Sequence, residues 1–297
     1  MRFTFETEVS VKPPFRLDLT VDALRRLAAN IVDVVGDDNV YRRALRDGRG
    51  NNLLEVTQPG ARCVRVRIAG RDGERWMPDI ERMLGLHQLL DDWYRRVRPF
   101  PWLAYLTREL KGVRPPRYPS LWEALAHAIV FQQISIHAAG SIMRRTVAAL
   151  SEPLEHSGGL YYPFPQPKEL LGAEESALRA AGLSGNKIAH LRSAAAAVLG
   201  RTIDAQAIEL LPSAQAAQRL TAVRGIGAWS AAVVLLRGFG RLDVFPMKDS
   251  GVARSLALLS GEPQIDAHAL LEALGPTRGM LYFHLLLGRI HNLRSSA

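Results

Sequence analysis

The chain has 297 residues, 47% of them hydrophobic, enough for a sizeable core and about two domains. Thirty-eight basic against 29 acidic residues leave a formal charge of +9, which favours a polyanionic partner. The single cysteine, Cys63, excludes an internal disulfide, a four-cysteine iron–sulfur cluster and a CxxC zinc site, and no stretch reaches the roughly 18 uninterrupted apolar residues of a membrane span.

The first residues, MRFTFETEVSVKPPF, lack the basic start and apolar run of a signal peptide, so a cytoplasmic location is expected. RFTFETEVSV alternates as a strand, and Phe15 to Leu19 is a second short extended candidate. Thr20 is placed to cap a helix carrying Val21, Leu24, Leu27, Ile31, Val34 and Val35 on one face. Further strands are predicted at Val40 to Leu45, Leu53 to Thr57 and Cys63 to Ala69, separated by the turn-rich DGRGNN and QPGA. In the last of these, Val64, Val66 and Ile68 alternate with Arg65 and Arg67, the pattern of an antiparallel strand with one wet face.

Strand signals thin out after Gly70-Arg71-Asp72-Gly73, which puts a domain boundary near residue 75. The predicted fold is therefore α+β: a small antiparallel sheet domain with a helix over residues 1–75, then a larger all-α region over 76–297. In that region a helix is predicted from Asp79 to Arg98, stopped by the PFPW break at Pro99 to Trp102. Leu121 to Leu150 is helical after Ser120 as N-cap, but it is interrupted at Phe131-Gln132-Gln133-Ile134-Ser135. Two amides in an apolar run either cap backbone groups at a helix end or form a polar tip that enters a duplex. Glu152 to Pro167 reads as a loop whose Tyr161, Tyr162 and Phe164 form a satellite core. Helical signals return over 167–181 and, past a turn at Gly182 to Gly185, over 186–200. Lys187 and Arg192 there either hold phosphates or lie on a solvated face. A helix from about Ser213, with Ala217, Leu220 and Val223 as its apolar stripe, leads into Gly225-Ile226-Gly227.

That glycine turn lies between two helical patterns, so it joins helices and is not a strand-to-helix nucleotide loop. Glycines at 225 and 227 allow torsions and close approach that side chains would obstruct. Amides from Gly225 to Ala228, with Arg224 beside them, can then reach one phosphate at the positive end of the following helix. Downstream, Asp249 precedes another helix. Taken alone, it is an ordinary N-cap aspartate.

The run VRGIGAWSA, followed one helix later by DVFPMKD ending in Asp249, resembles the signature of the helix-hairpin-helix DNA glycosylase superfamily, most of all its bacterial 3-methyladenine DNA glycosylase II branch. AIVFQQIS, GLSGNKIAHL and PTRGMLYFHLL resemble further family segments, and the N-terminal β-rich region resembles that branch's small sheet domain. The resemblance implies a monofunctional glycosylase in base excision repair that flips damaged, chiefly alkylated, purines from double-stranded DNA and hydrolyses the glycosidic bond. It implies a monomer, nucleoid-associated in a bacterial cell. A non-catalytic damage-binding protein and an oxidised-purine glycosylase are the alternatives. Asp249 takes the catalytic role, facing the positive charge that develops on the sugar as the base departs, and Asp243, in the bend before it, is structural or secondary.

Trp229 stands where glycosylases that also cleave the backbone carry a Schiff-base lysine, so no lyase activity is expected. Trp229, Phe131 and Tyr282 (or Phe283) are candidate aromatic walls, with core packing as the competing role of each. Val233 and Leu286 stand where the enteric pattern has further aromatics. Gln132 and Gln133 supply the DNA-entering tip, Gln133 at the wedge position. No cofactor and no side-chain metal site is implied. None of His127, His137 and His284 forms metal-ligand spacing with another, and His284 matches a position near the pocket. A monovalent cation on the hairpin carbonyls belongs to the resemblance.

Overall fold

Alternation in the N-terminal stretch becomes a five-stranded antiparallel sheet in a computed structural model that describes residues 2–47, 49–247, 250–262 and 264–293. The elements here are β1 (Phe3–Ser10), α1 (Leu17–Arg25), β2 (Asp33–Val35), β3 (Tyr41–Asp47), β4 (Gly50–Gly60) and β5 (Cys63–Ala69), with spatial order β1-β5-β4-β3-β2. Val64, Val66 and Ile68 of β5 are fully buried. On the opposite face Arg65 lies across from Glu8, and Arg67 from Glu6 and Glu55. Their guanidiniums bond Glu8 (2.8 Å) and Glu55 (3.3 Å), so cross-strand ion pairs occupy the wet face.

Two local expectations fail here for tertiary reasons. Phe15 to Leu19 is not extended, because α1 begins at Leu17 and contains Thr20. Its first amide is received at 2.8 Å by Gln58 Oε1 from β4, a cap that local sequence cannot advertise. Thr20 bonds back to the Arg16 carbonyl (2.8 Å) and accepts the Arg114 amide (3.0 Å). Nor does the helix run on to Val35. It stops at Arg26, whose φ of 61° is left-handed, and Val34 and Val35 enter β2. Arg237 donates to the Ala23 and Leu24 carbonyls at 2.9 and 3.0 Å, closing the helix end from another element.

The helix expected over 79–98 is two: α2 (Met77–Leu84) and α3 (Asp91–Arg96). Gly85 divides them at φ 61°, and the Leu86 amide returns to the Glu81 carbonyl at 3.0 Å. There follow α4 (Pro101–Glu109), α5 (Leu121–Val130) and α6 (Ile136–Leu150), then β6 (Leu154–His156) and β7 (Gly159–Tyr161). Those two strands replace the expected loop. Ser157 and Gly158, both at positive φ, turn a hairpin too short to show alternation, and Tyr161 packs on Ala44, Leu53 and Ala69 of the sheet. The remaining helices are α7 (Pro167–Gly172), α8 (Glu175–Ala180), α9 (Gly185–Leu199), α10 (Ala205–Leu210), α11 (Ser213–Thr221), α12 (Ala228–Gly238), α13 (Ser250–Ser260), α14 (Ala267–Leu274) and α15 (Gly279–Ile290).

Ser120 caps α5 as its position predicts, accepting from the Glu123 amide at 3.1 Å. Buried along its whole length, α5 is the central strut, packed against α9 and α12. A buried polar chain bolts it to the sheet. Tyr41 donates to Asp33 (2.8 Å), Arg43 bonds Asp33 (2.6 Å), and the same guanidinium bonds Glu123 of α5. One core joins the sheet, α5, α9 and much of α12; a second joins α3, α4 and α13 to α15, with Leu236 of α12 reaching into it. A small antiparallel sheet with its helix followed by a larger helical region is the α+β arrangement the sequence predicts. Among the described residues no helix is long and apolar enough to cross a membrane.

Candidate nucleic-acid interface and base pocket

Ile226 seats the glycine turn. It is 4% exposed, inserted into the first core, and its amide closes the turn on the Val223 carbonyl at 3.0 Å. Gly225 has φ 89°, and a Cβ there would stand 2.3 Å from Cγ of His190, so both conformation and space require glycine. Gly227 is different: its φ of −89° is ordinary and a Cβ would meet nothing within 4 Å, so glycine there keeps the outer surface open. Among the described residues the amides of Gly225, Gly227 and Ala228 meet no acceptor, and Gly227 and Ala228 are exposed at the start of α12, an 11-residue helix. These amides and the helix dipole suit a phosphate oxygen. Arg224 is exposed beside them.

The break after α5 forms a projecting tip. Gln133 adopts φ 59° and is exposed, and Ser135 caps α6 by accepting the Ala138 amide at 3.2 Å. Gln132 turns inward. Its amide nitrogen donates to the Gly225 carbonyl (2.9 Å) and to Ser230 Oγ (2.6 Å), leaving only its side-chain oxygen for an outside partner. Lys187 also turns inward: Nζ donates to the Val130 and Gln132 carbonyls at the C-terminal end of α5, and burial pushes its pKa down. Of the two roles sequence offers Lys187, phosphate contact or solvated face, neither describes these bonds. Arg192 donates to the Ala173 carbonyl at 3.0 Å.

Trp229 and Val233, one turn apart on α12, are half-buried and buried respectively; Tyr282 and Leu286, one turn apart on α15, are both half-buried. Phe131, half-buried, ends α5. Arg26 joins these separate elements, and no sequence signal singles it out from its neighbour Arg25. Its guanidinium lies 4.6 Å from the Phe131 ring centroid and donates to the Tyr282 hydroxyl at 3.3 Å. Behind Phe131, His127 is buried and stacks on Tyr118 at 4.2 Å, and burial pushes its pKa well down. The wall is thus drawn from the end of α1, the end of α5, and α15.

Three other candidates fall elsewhere. Phe283 is fully buried in the second core. His284 is buried against Trp93 (4.7 Å) and donates to the Met280 carbonyl (2.9 Å), and burial depresses its pKa to about 4. Asp243 is exposed in the bend before α13. Asp249 lies outside the described residues; the chain is described up to Met247, itself exposed, and again from Ser250 at the start of α13. Among the described residues no cluster of histidine, cysteine and carboxylate side chains could hold a metal. The hairpin offers backbone oxygens instead. The Leu220 and Val223 carbonyls accept within the turn and Gly225's accepts from Gln132, each keeping a second lone pair with which a hard monovalent cation is compatible.

Two helices, α11 and α12, joined by a glycine turn with exposed residues at its outer end form a helix-hairpin-helix. The HhH-GPD superfamily of base excision DNA repair proteins matches residues 126–275, and the chain belongs to that family. It is similar to the 3-methyladenine DNA glycosylase of Archaeoglobus fulgidus, at 25% identity with a TM-score of 0.82 over 97% of this chain and 99% of that one. A DNA-3-methyladenine glycosylase of Bacillus subtilis is 24% identical over 75% of this chain and 76% of its own length. DNA-3-methyladenine glycosylase 2 of Escherichia coli is 32% identical over 45% and 46% of the two chains.

Proposed function

We propose that this protein is a monofunctional DNA glycosylase that acts as a monomer on double-stranded DNA, flips out damaged and chiefly alkylated purines, and hydrolyses the N-glycosidic bond. The observation that carries this reading is the exposed hairpin end at the N-terminus of α12, where the amides of Gly227 and Ala228 meet no acceptor among the described residues, next to Trp229. The amides of Gly225, Gly227 and Ala228, with Arg224, hold a backbone phosphate, with a monovalent cation on the hairpin carbonyls; Ile226, whose amide closes the turn on Val223, seats the hairpin and does not itself contact the phosphate. Gln133 fills the space the nucleotide leaves. The extruded base enters between Phe131, Trp229 and Tyr282, with Val233 and Leu286 setting the room available. Asp249 then stabilises the positive charge on the sugar and orients the attacking water. The names of the relatives support alkylated bases as substrates. Trp229 offers no amine to attack the sugar, which supports hydrolysis without strand cleavage. In this reading residues 1–75 form a sheet domain and 76–297 the glycosylase region, with the cleft between two helical subdomains.

Mass analysis of bases released from alkylated, deaminated and oxidised duplexes tests the reading. Alkylpurines are expected to dominate, and Asp249→Asn is expected to lower release about 10³-fold while duplex binding persists. Wild-type release by Asp249→Asn would remove the catalytic assignment. A borohydride-trapped covalent DNA adduct would overturn the monofunctional one.

A further inference from the structure

Three segments meet at the interface: the tip at 131–135, the hairpin at 223–230 and the first turns of α9. They are joined by side-chain bonds and not only by the core below. Gln132 gives both amide hydrogens to the hairpin side, to the Gly225 carbonyl (2.9 Å) and Ser230 Oγ (2.6 Å). Because a carbonyl can only accept, the nitrogen of the amide is the atom that faces Gly225. Lys187 binds the Val130 and Gln132 carbonyls from below. Three residues further along α9, His190 lies against Gly225, close enough to leave no room for a Cβ. Residues three apart share one helix face, so a single face of α9 supports the tip through Lys187 and the hairpin through His190.

We infer that Gln132 is a positioning residue, one that fixes the distance between phosphate anchor and stack-filling tip. This rests on the proposed glycosylase reading. A phosphate held by the amides of Gly225, Gly227 and Ala228 then fixes the position of Gln133 relative to the base stack, so that anchoring and base extrusion proceed as one event. Gln132 contacts neither phosphate nor base through its amide nitrogen. It acts through Gly225 on one side and through Gln133, its chain neighbour, on the other. Misplacement of a reacting group by about 1 Å lowers rates by about 100-fold, and the loss of both bonds frees the tip by that order.

The test uses the full chain on a duplex with one N7-methylguanine and a neighbouring 2-aminopurine, whose fluorescence reports unstacking. Gln132→Met keeps the side-chain length but removes both donors. It is expected to lower single-turnover base release and fluorescence amplitude about 10- to 100-fold, with affinity for undamaged duplex within about twofold because the hairpin amides remain. Ser230→Ala, which removes one of the two bonds, should fall between. Gln133→Ala should slow release in the wild-type background and add little once Gln132 is Met, since residues acting as a unit are not additive. Release within twofold of wild type by Gln132→Met overturns the inference. So do effects of Gln132→Met and Gln133→Ala that multiply, or a loss of undamaged-duplex affinity as large as the loss of release, which would mark Gln132 as a prop for the hairpin alone. Should Gln132→Met not fold, Ser230→Ala with and without Gln133→Ala decides on the same terms. If the wild-type protein releases no base, the glycosylase reading fails, and the 2-aminopurine signal, which needs no bond cleavage, still tests the coupling.

Discussion

The hairpin's donors, the amides of Gly225, Gly227 and Ala228, come from one stretch of four residues, whereas the side-chain cluster near it draws Arg26 from the end of α1, Phe131 from the end of α5 and Tyr282 from α15. The hairpin works through backbone amides, whose direction is set by local torsions, so one glycine at φ 89° does most of the shaping. The Arg26–Phe131–Tyr282 cluster is made of side chains from elements that only the two cores bring together.

The contrast can be broken most sharply at Gly225. Gly225→Ala meets both the positive φ and the 2.3 Å approach to His190, and it should cost about 3 kcal/mol of stability in denaturant unfolding and abolish tight duplex binding. Unfolding at the wild-type midpoint would contradict the local account of the turn.

Next in size is the effect of acid on the buried histidines of the helical cores. His284, with a folded pKa of about 4 against an ordinary 6.5, is proton-free in the folded state where the unfolded chain is protonated. Stability is therefore whole above about pH 6.5 and lost as the pH falls toward 4, by ~3 kcal/mol for this residue. His127, shifted the same way by burial, adds to the loss. Unfolding free energies measured from pH 7 to 4 check the slope, and His284→Gln should flatten it.

Arg26→Met probes the assembled wall. Removing the guanidinium between Phe131 and Tyr282 should slow base release about tenfold, ~1.4 kcal/mol, with undamaged-duplex affinity nearly unchanged in a binding titration. An equal loss of affinity would place Arg26 at the DNA surface and not in the cleft. The smallest stability effect is expected at Gly227. Gly227→Ala meets open space and an ordinary φ, so unfolding should shift by under about 0.5 kcal/mol, yet in the proposed reading the new methyl stands where the phosphate approaches, so duplex affinity should weaken.

Legibility followed the same division. VRGIGAWSA could be read as a helix pair joined at an outward-facing turn because its torsional and apolar signals are local, and Ser120 and the alternation of β5 were legible for the same reason. The start of α1, capped by Gln58 from a distant strand, and its end at Arg26, held by Arg237, carry no local signal. Nor does the β6–β7 hairpin, because three-residue strands have no period to show. Gln132 and Gln133, adjacent and chemically identical, could not be told apart in sequence. Only the packed molecule turns one inward to Gly225 and leaves the other exposed.

By itself, then, the sequence determined the α+β layout, the glycine hairpin with its anion-suited amides, and the family resemblance, all of which rest on spacing and torsion within short stretches. Tertiary structure alone decided that Arg26 joins Phe131 to Tyr282, that Lys187 holds a helix end, and that Gln132 ties the tip to the hairpin. Those contacts depend on how separate elements are brought within bonding distance by burial of their apolar faces, and burial is a property of the whole chain.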